Sequence, residues 1–128
     1  MKKMLLLLIA LFTLFGIHQV KETPKIVVRE HVWTTEDSKA YARDKVLAWA
    51  DKQYACLASL WGKESAWQHD EYNSQKVMGK NAGGIPQLLG LSPTTPPTMQ
   101  IDRGMAYIKH RYTTPCKAWA FHEKNGWY

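Results

Sequence analysis

One carboxylate in this chain falls where a helix would bury it. Leu57, Leu60, Trp61 and Glu64 recur at i, i+3, i+4 and i+7, which is a single helix face. A carboxyl group carried into a partly apolar setting has its charged form disfavoured, so its pKa rises, and each unit of rise costs about 1.4 kcal/mol. That is the setting of an acid that must hold its proton near neutral pH. The plainer alternative is a glutamate near a helix end that bends past Lys63 into solvent, and periodicity alone favours it. Two more acids, Asp70 and Glu71, follow closely. A second carboxylate roughly 6.5 to 9.5 Å from the first could activate water for hydrolysis with inversion, but in a polar loop both read as solvated charges. The two cysteines, Cys56 and Cys116, and the five scattered histidines show no ligand spacing, so neither a metal nor another cofactor is expected.

The elements that must hold Glu64 follow from period and punctuation. Thr34 or Thr35 can cap a helix that opens with Glu36-Asp37 and runs to about Lys52; Ala40, Tyr41, Val46, Leu47 and Ala50 give it a moderate stripe. The helix of about Tyr54 to Ala66 has the clearer stripe and carries Glu64. Residues 68–97 are rich in Asn, Asp, Gly and Pro and predict a loop region, with a small hairpin around Gly83-Gly84-Ile85-Pro86-Gln87. Thr98 can cap a helix from Met99 to Tyr112, whose Ile101, Met105, Ile108 and Tyr112 face a core. Thr114-Pro115 reads as the N-cap and first residue of a last short helix that stops near Asn125-Gly126.

At 128 residues, 45% of them hydrophobic, with six tryptophans, the chain has the material for a single core. Met1-Lys2-Lys3 followed by the apolar run Met4 to Ile17 has the shape of an export signal. The run is shorter than the roughly 17 to 25 residues that a spanning helix needs, yet no A-x-A site follows it. Residues 1–19 are therefore expected to be a cleaved signal or an uncleaved anchor, residues 20–35 a linker, and residues 36–128 the folded domain. In an oxidising compartment the even cysteine count reads as one disulfide. Loss of Lys2 and Lys3 with the signal would leave 15 of the 17 basic residues against 11 acidic ones, a net charge of +4. Such a charge suits a polyanion (wall polymer, anionic lipid or nucleic acid) without choosing among them, or serves solubility alone.

A resemblance makes the choice. Trp49, Gln53-Tyr54, Cys56-Leu57, Leu60-Trp61, Glu64-Ser65 and Trp67, then Gly84-Ile85-Pro86-Gln87, resemble the lysozyme-like lytic transglycosylase domains of exported bacterial and phage proteins. Tyr107-Ile108-Lys109, Arg111-Tyr112, Pro115-Cys116, Ala118-Trp119-Ala120 and Gly126-Trp127-Tyr128 are similar to the same family's closing pattern. The resemblance implies a mainly α, lysozyme-like fold: a helical bundle with a small β-hairpin or loop region. It implies Glu64 as the catalytic acid and base, with Ser65 beside it and Gln87 lining the sugar groove. Trp67, Trp119 and His122 are further candidates for sugar contact, each with a structural alternative, whereas core packing is expected of Trp61. Cys56 and Cys116 would tie the start of the catalytic helix to the start of the last one. The implied partner is the peptidoglycan glycan strand, met by an exported monomer that touches no nucleic acid and meets membrane only through residues 4–17 if they are retained. Two departures stand out: extra residues within Lys76 to Asn81, and Phe121 where a polar aromatic or a histidine is expected. A hydrolytic lysozyme, a catalytically silent wall-binding relative and a membrane-active amphiphile are the rival readings.

Overall fold

A computed structural model describes residues 21–128; the expected export segment, residues 1–19, lies outside the described residues. Residues 21–30 are exposed and carry no regular secondary structure, and His31 to Tyr128 form one compact unit. That unit is mainly helical, with a small antiparallel hairpin. Its elements are α1 (Thr35–Val46), a 3-10 turn (Leu47–Trp49), α2 (Asp51–Ser65), β1 (Ala82–Gly83), β2 (Leu88–Leu89), α3 (Pro97–Tyr112) and α4 (Pro115–Asn125). Among the described residues no helix is long and apolar enough to cross a membrane.

Local chemistry explains the helix starts. Thr34 caps α1 in a reciprocal box, accepting from the Asp37 N–H at 3.2 Å while the Asp37 carboxylate accepts from the Thr34 N–H at 2.8 Å. These bonds to Thr34 hold the Asp37 carboxyl below its ordinary pKa. The chain is also fastened just upstream, where the Trp33 indole N–H donates to Ser38 Oγ at 2.8 Å. Thr114 caps α4 and Pro115 opens it, while Gly126, at φ 78°, closes it with its N–H on the His122 carbonyl at 2.7 Å.

Three helix ends differ from the sequence expectation, those of α1, α2 (expected from about Tyr54) and α3. α1 stops at Val46 instead of about Lys52, and α2 starts at Asp51, because Ala50 adopts φ 81° and ψ 151°. That region is nearly reserved for glycine, and the reversal there lets α1 and α2 pack side by side. α3 begins at Pro97 and not after Thr98, since a proline at the first helical position needs no N–H partner and has its φ already set.

α2 packs on α4 and α1, and α3 packs on the same two helices. Leu57, Leu60 and Trp61 of α2, Ile101 and Ile108 of α3, Ala42 and Val46 of α1, Ala118 of α4 and Ile85 of the hairpin turn form the buried core. Side chains as large as Leu or Ile contribute roughly 1.5 to 3 kcal/mol each when fully buried. Helix α3 can approach this closely only through Gly104: a Cβ there would sit 2.6 Å from the Trp61 ring and 2.7 Å from Pro86. A disulfide joins Cys56, early in α2, to Cys116 at the start of α4, with Cα atoms 4.9 Å apart.

Candidate active site

Glu64 lies in the last turn of α2, one turn beyond the fully buried Leu60 and Trp61. After it the chain turns sharply: Ala66 and Trp67 both take left-handed backbone, at φ 51° and 62°. This returns Trp67 to the core, where its indole N–H donates to the Ala58 carbonyl at 3.2 Å and its ring meets Trp61 edge-on. Glu64 is thereby left at the end of the apolar stripe, its side chain 17% exposed, facing a cleft of about 920 Å³.

The cleft has two unlike walls. Val77, Met78, Ala82, Leu88 and Leu89, with Asn73 and Gln87, come from the hairpin and the loop before it; Tyr107 and Arg111 come from α3, and Gly126, Trp127 and Tyr128 from the segment after α4. Glu64 is the one carboxylate among the described residues that line it. Burial lifts its carboxyl from 4.5 to about 7. A group poised there can both release a proton and take one back near neutral pH.

The turn that carries Gln87 is held from three directions. Ser65 Oγ donates to the Ile85 carbonyl at 2.7 Å, the Tyr128 hydroxyl donates to the Pro86 carbonyl at 2.7 Å, and the Ile85 N–H donates to Gln100 Oε1 at 2.8 Å. The Tyr128 hydroxyl accepts in turn from the Trp61 indole at 3.0 Å, and burial pushes its pKa well above the usual phenol value. Gln100, fully buried, also donates to the carbonyls of His69 at 2.9 Å and Thr95 at 2.8 Å. One amide thus ties both ends of the long loop to α3.

The residues singled out from the sequence therefore part company. Glu64 and Gln87 share the cleft, and the Gln87 amide nitrogen is engaged within its own turn, donating to the Gly84 carbonyl at 2.9 Å. His122 approaches Glu64 from α4, its Nε2 3.1 Å from Glu64 Oε1, and its ring stacks on Trp119 with centroids 5.5 Å apart. Trp119 backs that histidine and packs against the core. Ser65 and Trp67 are buried, at 5% and 3% exposure, with their polar atoms occupied by backbone carbonyls. Asp70 and Glu71 are exposed and do not line the cleft; Glu71 serves through its backbone carbonyl, which accepts from the Gly84 N–H at 2.8 Å. Tyr107, Arg111, Trp127 and Tyr128 also line the cleft, although nothing in the sequence assigns them to a site. Tyr107 and Arg111 stand four apart on the side of α3 away from the Ile101–Ile108 stripe, a spacing that signals one exposed face but no chemistry.

A second depression, about 230 Å³, lies at the α1–α2 junction between Arg43 and Tyr54, and its one acid, Asp51, is exposed. Burial and cleft geometry together single out Glu64 instead. No family model, no curated protein and no solved structure matches this chain.

Proposed function

We propose that the protein is a lytic transglycosylase of lysozyme-like fold that cleaves the β-1,4 bond between N-acetylmuramic acid and N-acetylglucosamine in peptidoglycan glycan strands. The observation that carries this reading is Glu64: a largely buried acid whose carboxyl is lifted to about 7, the one acidic side chain among the described residues that line a cleft of about 920 Å³. The resemblance in Glu64-Ser65, in Gly84-Ile85-Pro86-Gln87 and in the two cysteines supports it from the sequence side. The disulfide is compatible with export, and the basic balance suits an anionic wall.

Protonated Glu64 gives its proton to the glycosidic oxygen as the C1–O bond breaks, and the N-acetylglucosamine end departs as an alcohol. The N-acetyl carbonyl of the muramic acid covers the positive charge at C1, a form of substrate assistance that removes the need for a second carboxylate. The Glu64 carboxylate then takes the proton from the same sugar's C6 hydroxyl, whose oxygen attacks C1. The ring closes as a 1,6-anhydro sugar and Glu64 is again protonated, with no water consumed. His122, 3.1 Å away, and the Ser65 and Tyr128 bonds to the hairpin turn hold the acid and the opposite wall in place.

Purified protein incubated with insoluble peptidoglycan should release soluble muropeptides, and Glu64→Gln, which keeps the volume and removes the transferable proton, should lower that release about a hundredfold or more. No release by the unaltered chain, or substantial release by the variant, would remove this reading.

A further inference from the structure

We propose that Arg111 forms a carboxylate-binding subsite in the cleft, so that the protein prefers acid-bearing glycans over neutral ones. This rests on the glycan-cleaving reading and adds to it the chemistry by which the substrate is selected.

Among the described residues that line the cleft, Arg111 is the only cationic one. Its guanidinium is held in place by aromatic rings: it lies 5.0 Å from the centre of the Trp127 ring, 5.5 Å from that of Tyr112 and 5.9 Å from that of Phe121. Its Nη1 donates to the Tyr107 hydroxyl at 2.8 Å. Among the described residues no carboxylate comes within ion-pair distance of it. An arginine has five N–H donors in a planar fork, so most of this one's donors remain open to a ligand while its orientation is already set. A fixed guanidinium with no ion-pair partner among the described residues, in a cleft whose other lining residues are mostly apolar and aromatic, fits a planar anion, and carboxylate is the anion a muramyl glycan carries. Two sources present it: the lactyl acid of muramic acid without its peptide, and the acids of the peptide stem. A polymer of N-acetylglucosamine alone presents neither.

The test uses the full chain with Glu64→Gln, to prevent turnover, and isothermal titration of three sugars: chitotetraose, the peptide-free tetrasaccharide of alternating N-acetylglucosamine and N-acetylmuramic acid, and the same tetrasaccharide bearing peptide stems. Binding of at least one acidic sugar about tenfold tighter than chitotetraose is expected, a margin typical of a charge-assisted bond. Which of the two acidic sugars gains the margin identifies the carboxylate. Adding Arg111→Gln should erase it while leaving chitotetraose binding unchanged, and Arg111→Lys, which keeps the charge but not the fork, should retain part of it. Equal binding of all three sugars before the Arg111 change would overturn the subsite alone. So would equal loss of all three after it, which would make Arg111 a packing residue. If none of the three binds, the glycan reading fails and the subsite fails with it.

Discussion

The raised pKa of Glu64 has a sign that can be followed into two measurements. As a proton donor Glu64 must be protonated, so kcat/KM should fall as pH rises through about 7, and Glu64→Gln should show no residual limb there. A profile flat from pH 5 to 9 would place the acid elsewhere. Stability carries the same sign. The folded-state pKa, about 7, lies above the ordinary glutamate value of 4.5, so the folded chain binds more protons between those values and loses stability as pH rises across them. Glu64→Gln should therefore leave the unfolding free energy unchanged at pH 4 and raise it at pH 8, by on the order of 3 kcal/mol at most. This residue was half legible in the sequence. Its phase with Leu57, Leu60 and Trp61 marked it as odd, but the same phase is consistent with a glutamate in solvent. What leaves it in the cleft is the pair of left-handed residues at Ala66 and Trp67, which no local pattern in "ESAW" announces.

The four helices and the hairpin were legible because their signals are local: Thr34 and Thr114 as caps, Pro115 as a first helical residue, and Gly126 as a stop, whereas the start of α3 lies at Pro97, ahead of the Thr98 cap expected. The break at Ala50 was not, since Leu47-Ala48-Trp49-Ala50 reads as good helix and only tertiary packing reverses it. Ala50→Gly should relieve that backbone and stabilise the fold by about 1 kcal/mol, read as a rise in melting temperature. The tie made by Gln100 was equally hidden: a glutamine one residue before Ile101 looks like a helix-surface residue, and its partners lie far away in the loop. Gln100→Leu strips the Ile85 N–H and the loop carbonyls of partners, and a loss of about 2 kcal/mol or more is expected in denaturant unfolding. Gly104→Ala forces α3 off Trp61 and Pro86 and should cost roughly 1 to 3 kcal/mol. Because Pro86 precedes Gln87 in the cleft wall, activity should fall along with stability.

Taken as a whole, the unit from His31 to Tyr128 is a helical scaffold whose one long loop is fastened back onto it, and the Cys56–Cys116 bridge joins α2 to α4 behind Glu64 and His122. Closing a loop of about sixty residues contributes on the order of 4 kcal/mol in the chain-entropy treatment, so reduction, or replacing both cysteines with alanine, should lower the melting temperature clearly. An unchanged transition would show the helices registered without the bridge. The cleft's chemistry bears on the product, since a single acidic side chain suits ring closure by the substrate's own hydroxyl, whereas an inverting hydrolase uses a second carboxylate to activate water. The direct measurement is mass spectrometry of muropeptides released from peptidoglycan in water enriched in oxygen-18. The proposed mechanism predicts 1,6-anhydro ends without the label; oxygen-18 at reducing ends, or the absence of released muropeptides, would contradict it.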